Sequence, residues 1–185
     1  MEDFAAFAHL ITALRPWLGQ LVVVGGWAHR LHRLHPMANP PVHLPLSTGD
    51  ADVAFTADEA LDGDVRTALV DAGFNEELFS DHIPPVTHYR LGEENAGFYA
   101  EFLTPLHGGD RKRNGVQDAT LSMAGITAQK MRYLDLLLNS PWSVRVGSKL
   151  GVPVAANVDV RVPNPTSFIV QKLLIHSDRV SRKKA

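Results

Sequence analysis

The stretch that decides the fold reads Thr48-Gly49-Asp50-Ala51-Asp52-Val53. From Asp50 to Phe55 the residues alternate in character, which predicts a β-strand with Asp50 and Asp52 on one face. Two carboxylates two residues apart on an otherwise apolar strand repel each other and lose hydration unless a cation lies between them. Hard oxygen ligands favour Mg²⁺ or Mn²⁺. The stretch therefore predicts a divalent-metal site; the alternative is an exposed strand start that follows a loop.

A lone acid interrupts a second apolar stretch, Phe98-Tyr99-Ala100-Glu101-Phe102-Leu103. Because apolar strands rarely bury an unpaired charge, we expect Glu101, if it is buried, to have a polar or charged partner. If this strand lies beside the one that carries Asp50 and Asp52, three carboxylates converge and Glu101 is the third metal ligand. On an edge strand, Glu101 faces water instead.

Two glycines mark the end of the first predicted strand. Leu21 to Val24 is a short apolar run typical of a buried strand, Gly25-Gly26 ends it, and Trp27 to His35 is compatible with a helix. Backbone N–H groups at such a turn, with a helix N-terminus behind them, can bind phosphate. A simple tight turn is the alternative.

The composition is that of an ordinary folded domain. The chain has 185 residues, of which 45% are hydrophobic and 21% charged, and this predicts a single domain over residues 1–185. A formal net charge of −2 argues against binding nucleic acid by bulk charge, and the lack of cysteine excludes disulfides and cysteine–zinc sites. No signal peptide or membrane-spanning run is present, so we expect a cytoplasmic protein without a membrane partner.

The remaining pattern predicts helices and strands that interleave without a strict βαβ period, hence an α+β (mixed α/β) fold with a mixed sheet. Residues 88–91 and 98–103 are expected to form a hairpin. The other predicted elements are helices at 2–15, 58–72, 127–138 and from 164 onward, strands at 143–146 and 154–162, and loops at 36–49 and 105–120.

Residues 164–185 predict the start of a C-terminal helical region. Asn164-Pro165 supplies a capping side chain followed by proline in the first turn. Because no glycine or proline stops the helix before Ala185, we expect the natural chain to continue.

A basic stripe follows this helix, since Lys172, His176, Arg179 and Lys183 share one face. It either approaches a nucleotide or nucleic acid, or is a solvated face. Lys172, which apolar residues flank, is the candidate nucleotide-binding member.

Two histidines one helical turn apart, His29 and His32, allow a further hypothesis, a zinc-dependent hydrolase. No acid of the His-Glu-x-x-His kind accompanies them, and a polar helix face is the favoured interpretation.

The order of these features resembles the nucleotidyltransferase superfamily, which has the polymerase-beta-like fold. The matching stretches are residues 24–35, 48–55 and 99–103. Residues 162–174, Val-Pro-Asn-Pro through Lys-Leu-Leu, are similar to the "PNP…KL" segment of a bacterial branch with uncharacterised and toxin–antitoxin-like members. The resemblance covers most of the chain.

This resemblance implies metal-assisted transfer of a nucleoside monophosphate from an NTP, such as ATP, to an acceptor hydroxyl on a small molecule, an RNA end or a protein. It implies that Gly25 and Gly26 hold the nucleotide phosphates. It further implies that Asp50, Asp52 and Glu101 are catalytic and bind two Mg²⁺ (or Mn²⁺) ions.

Two positions depart from the family. Trp27 stands where many members carry serine, and Glu101 stands where aspartate is frequent. The alternative function is therefore a catalytically inactive protein of the same fold with a binding or regulatory role, for example a toxin–antitoxin component.

Overall fold

A computed structural model of the chain shows a mixed β-sheet combined with helices, and it describes residues 2–43, 48–56, 58, 60–79, 85–92, 97–109 and 119–182. The helices are α1 (Glu2–Ala13), α2 (Gly25–His32), α3 (Val65–Asp71), α4 (Asp135–Leu138) and α5 (Pro165–Arg182). The strands are β1 (Val22–Val23), β2 (Asp50–Ala54), β3 (Asn75–Phe79), β4 (Val86–Leu91), β5 (Phe98–Pro105), β6 (Thr120–Met123), β7 (Ile126–Met131), β8 (Trp142–Val146) and β9 (Val158–Val162). The predicted α+β class is confirmed.

The sheet is organised around β5. Within the described residues, seven strands form one sheet whose main path runs β1-β2-β5-β4-β3. β5 pairs in parallel with β2 on one edge. On its other edge it pairs antiparallel with β4 and, further along, in parallel with β7. β8 and β9 form a separate antiparallel pair.

The main core lies on one face of β2 and β5. Ala51 and Val53 of β2 and Ala100 and Phe102 of β5 point into it, together with residues of α1, α2 and the β8–β9 pair. A smaller apolar cluster packs on the opposite face, where Ala54 and its neighbours meet α4. Because side chains alternate along a strand, Asp50 and Asp52 lie on this second face.

The predicted helix at residues 127–138 is wrong over most of its length. Residues 126–131 form β7, and the helix is confined to Asp135–Leu138. The cause is a hairpin: Ala124 and Gly125 both have positive φ (48° and 78°), as a two-residue turn between β6 and β7 requires. Tyr133, with φ 60°, then separates β7 from α4.

Other predictions hold to different degrees. The hairpin of β4 and β5 is confirmed, as is the cap at Asn164, whose Oδ1 accepts a 2.9 Å hydrogen bond from the Ser167 backbone. The strand predicted at 154–162 begins only at Val158, and β3 and β6 were not predicted. The predicted loops at 36–49 and 105–120 lie partly outside the described residues. No helix in the described part of the chain is long and apolar enough to cross a membrane.

Candidate active site

The register of two parallel strands brings the three predicted acids to one face of the sheet. β2 and β5 pair so that Asp52 lies opposite Glu101 and Asp50 lies opposite Tyr99. Neighbouring strands are about 4.8 Å apart and paired residues point to the same face, so Asp52 and Glu101 are adjacent. Asp50 shares this face because it is two residues from Asp52. The structure thus places the three carboxyl groups together; their catalytic role stays a prediction.

The pKa values of the two opposed carboxyl groups shift in opposite directions. Burial, the hydrogen bond with Glu101 and the charges of Glu101 and Asp50 raise the pKa of Asp52 to about 8. The pKa of Glu101 is lowered, first by its hydrogen bond with His88. Since an acid beside another acid resists ionisation, Asp52 is the harder of the two carboxyl groups to ionise.

The pairing of Asp52 with Glu101 differs from the arrangement that would coordinate a metal ion. Among the described residues, no three His, Cys, Asp or Glu side chains are disposed to hold one ion. Asp52 and Glu101 are bonded to each other, and the Asp50 carboxylate accepts a hydrogen bond from the Thr48 hydroxyl. A divalent ion would have to replace the hydrogen bond between Asp52 and Glu101.

Gly25 is the residue that lets the first turn of α2 approach Asp52. Its φ of +61° lies in the left-handed region that favours glycine. A Cβ atom there would overlap the carboxylate of Asp52. The Val24 N–H also donates to the Asp52 carbonyl at 2.9 Å, so the backbone around the Gly-Gly turn is fixed on the strand that carries the acids.

Gly26 packs on Thr48 less closely, since a Cβ at Gly26 would lie 3.0 Å from the Thr48 Oγ1. Val24, which precedes α2, makes no side-chain capping hydrogen bond with the helix. The first N–H groups of a helix have no hydrogen-bond partner within the helix. The first N–H groups of α2 can therefore donate hydrogen bonds to a ligand beside the acid cluster. Phosphate binding by Gly25 and Gly26 stays a prediction.

Gly25→Ala is expected to damage this turn. The added Cβ must displace the Asp52 carboxylate and occupy a strained φ, which we expect to cost about 1–3 kcal/mol in the free energy of unfolding. Stabilisation by Mg²⁺ with NTP should be lost as well. Thermal denaturation with and without Mg²⁺ and NTP measures both effects.

The matched control for Gly25→Ala is Gly49→Ala, at the glycine directly before β2. Nothing lies within 4 Å of a Cβ at Gly49 and its φ is not positive. The melting temperature of the Gly49→Ala variant should match that of the unmodified protein. Equal losses in both variants would contradict a specific role for Gly25.

α5 carries Lys172 to the acid cluster. The charge of Lys172 lowers the pKa of Asp52, although less than the neighbouring acids raise it. Its Nζ lies 5.2 Å from the ring centroid of Phe168. The start of α5 is held by Asn164, whose Nδ2 donates to the Asn139 carbonyl at 3.0 Å. Nucleotide binding by Lys172 stays a prediction.

A comparison with protein families agrees with this geometry. A family model described as "Nucleotidyltransferase" matches residues 2–185, which is nearly the whole chain.

The chain belongs to the nucleotidyltransferase family.

Family membership supports nucleotidyl transfer in general and leaves the acceptor open. Neither curated proteins nor solved structures yield a match to the chain. Family membership therefore rests on the family model, beside the resemblance in the sequence.

Trp27 faces the core and not the acids. Its indole is fully buried and stacks on Phe7 with the ring centroids 3.9 Å apart. Phe4 and Phe98 contact it edge to face. All four residues belong to the main core or pack against it, on the face of the sheet opposite Asp52. A serine at position 27 would therefore not face the acid cluster.

The histidines of α2 pack against other elements. The His32 Nε2 lies 2.7 Å from the Pro163 carbonyl oxygen, and burial lowers the pKa of His32. The ring of His35 lies 4.4 Å from that of Trp142. Since the described residues contain no group of three ligand-type side chains suited to a metal, the zinc hypothesis gains no support from them. Within the basic stripe, the Arg179 side chain and Lys183 lie outside the described part.

His88 and Tyr99 lie beside the acid cluster but are not among the site residues that the sequence predicts. The His88 Nε2 lies 3.2 Å from Glu101 Oε2, and the rings of His88 and Tyr99 stack with centroids 4.9 Å apart. The alternation within β4 is visible in the sequence, but its register with β5 is not. No local signal identifies His88 as the partner of Glu101.

A cavity of about 290 Å³ lies further along the same strands. Thr56, Asp135 and Arg161 are among its lining residues, and the predicted site residues are not. Thr56 follows Asp52 by four positions, which corresponds to roughly 13 Å of extended chain. Ala54, which stands between Asp52 and Thr56 in the chain, belongs to the smaller apolar cluster. The cavity is thus separate from the acid cluster.

Proposed function

We propose that the chain transfers a nucleoside monophosphate from an NTP, such as ATP, to an acceptor hydroxyl by metal-assisted phosphoryl transfer. The acceptor oxygen bonds to the α-phosphorus, the bond from that phosphorus to the bridging oxygen breaks, and pyrophosphate leaves. The observation that supports this most is the pairing of Asp52 with Glu101 on parallel strands, with Asp50 on the same face.

The donor set fits Mg²⁺ or Mn²⁺. All three side chains offer carboxylate oxygens, the ligands that these ions prefer. Asp52, with its pKa raised to about 8, is a buried acid held beside two others, and a cation relieves that repulsion. Asp50, Asp52 and Glu101 would hold two ions, which neutralise charge on the transferred phosphate and the leaving pyrophosphate.

The chain's own groups position the substrates. Glu101, which pairs with Asp52 across β2 and β5, accepts the proton of the attacking hydroxyl. The backbone N–H groups of Gly25 and Gly26 donate to the triphosphate at the start of α2. Lys172, whose charge reaches Asp52, adds a cation beside the phosphates.

Nucleotide binding is tested by thermal denaturation with each NTP in the presence of Mg²⁺ or Mn²⁺. At a ligand concentration 100 times the dissociation constant, binding adds about 2.7 kcal/mol, or roughly 5–10 °C for a domain of this size. Lys172→Met should reduce the shift. If no NTP with either metal stabilises the protein, the inactive binding or regulatory protein replaces the enzyme as the better candidate.

The acceptor is tested with NTPs labelled at the α-phosphate. Label that stays on the chain itself, moves to added RNA ends, or moves to small molecules in a heat-treated extract identifies the acceptor class. A chain that binds NTP and metal yet transfers label to none of these contradicts the transferase proposal.

A further inference from the structure

His88 lies on β4 directly opposite Glu101 of β5. Its Nε2 is 3.2 Å from Glu101 Oε2, and both side chains are largely buried, with 15% and 21% of their surface exposed. Glu101 also hydrogen-bonds Asp52 from the other side. The Glu101 carboxyl group is therefore held between β2 and β4, with one partner on each.

The imidazole of His88 is itself held in place. Its ring stacks on Tyr99 with an interplanar angle of 15°. The Arg90 guanidinium lies 5.6 Å from the centroid of Tyr99, and its Nε donates to Glu77 at 2.7 Å. The stack and this ion pair join β3, β4 and β5 beside Glu101.

We propose that His88 is a positioning residue that donates a hydrogen bond to Glu101 and so fixes this carboxylate toward Asp52 for metal binding. The inference rests on the proposed function, because it concerns the same carboxyl cluster. A free glutamate side chain has several rotatable bonds, and fixing it costs conformational entropy when a ligand binds. A donor that fixes the carboxylate beforehand removes much of that cost.

The inference does not depend on the charge of His88. The neutral ring with its proton on Nε2 and the imidazolium both donate from Nε2. The contact with Glu101 requires only a hydrogen-bond donor at the His88 Nε2. Hydrogen-bonding partners of metal ligands typically contribute 10- to 100-fold in metal affinity.

The test compares His88→Gln with His88→Phe. The Gln amide nitrogen reaches about the place of Nε2 and keeps a donor, but it loses the aromatic ring. Phe keeps the ring that stacks on Tyr99 and loses the donor. A positioning role predicts that Gln preserves affinity and Phe does not, whereas a packing role predicts the reverse.

The probe is Mn²⁺ alone, with free ion measured by electron paramagnetic resonance. We expect His88→Gln to bind within about 3-fold of the unmodified protein and His88→Phe to bind at least about 10-fold more weakly. Near-ultraviolet circular dichroism checks folding. If the Phe variant does not fold, His88→Leu replaces it as the variant without a donor.

Three results overturn the inference. A donor-free variant that binds Mn²⁺ like the unmodified protein shows that the donor is not needed. A Gln variant that binds Mn²⁺ as weakly as the donor-free variant, or more weakly, shows that a donor alone does not account for the effect of His88. Failure of the unmodified protein to bind Mn²⁺ overturns the proposed metal site together with the role of His88, which distinguishes it from the first two results.

Discussion

Asp52→Asn is expected to abolish Mg²⁺-dependent transfer and, at the same time, to make the metal-free protein more stable. Loss of a carboxylate from the proposed metal site should lower the transfer rate by about 10³-fold or more. The gain in stability follows because the raised pKa of Asp52 reflects a buried acid that is costly to ionise beside Glu101 and Asp50. An amide at this position keeps a hydrogen bond and carries no charge.

The gain depends on pH in a defined direction. The pKa of Asp52 is about 8 in the folded chain against 3.8 in the unfolded chain, so between these values the folded state holds the extra proton. Stability of the metal-free protein therefore falls as the pH rises from about 4 to about 8, by an amount on the order of a few kcal/mol. Asp52→Asn removes this component. The pKa of Glu101 is lowered, so the stability that Glu101 contributes is lost only as the pH falls below its ordinary pKa of 4.5.

Chemical denaturation in EDTA at several pH values, combined with the label-transfer assay, measures both effects. Asp71→Asn is the control, since it removes an exposed aspartate at the end of α3. It should change neither activity nor the pH slope. A less stable Asp52→Asn protein at pH 8 would contradict the account of the acid cluster.

Trp27→Ser is expected to be among the most destabilising single changes in the chain. Replacing a fully buried tryptophan by a small residue typically costs about 3–5 kcal/mol. Trp27 loses its stack on Phe7 and its contact with Arg30, whose guanidinium lies 4.2 Å from the indole centroid. For a domain of this length the melting temperature should fall by roughly 6–20 °C.

Trp27→Phe is the matched control, because a smaller ring still stacks on Phe7. We expect a clearly smaller loss of stability from it. Neither variant should bind NTP more tightly, since position 27 points into the main core. A Trp27→Ser protein that keeps its melting temperature and gains nucleotide affinity would show that the side chain faces the phosphates after all.

The sequence predicted those parts of the site that have local signals. The acids of β2 follow from alternation around Asp50 and Asp52, and the turn follows from Gly25-Gly26 after an apolar run. Asn164 was predicted as a cap because its chemistry acts within one helical turn. Each of these signals is complete within a few residues, so no tertiary information is needed.

The rest depends on strand pairing that sequence spacing does not specify. Residues 126–131 have helix-compatible side chains, but pairing with β5 and β6 makes them a strand. His88 became a partner of Glu101 through the register of β4 with β5. The orientation of Trp27 likewise depends on the packing of α1 against α2, which no short motif encodes.

The parallel pairing of β2 with β5 also bears on how the molecule acquires its site during folding. Asp52 and Glu101 are separated by about 50 residues, and a loop of that length must close before the two strands meet. Until that pairing forms, no part of the chain holds the two acids side by side. Partly folded chains, including those still emerging during synthesis, therefore lack the paired acids. A metal ion bound at the proposed site would stabilise only chains in which the central strands have already joined.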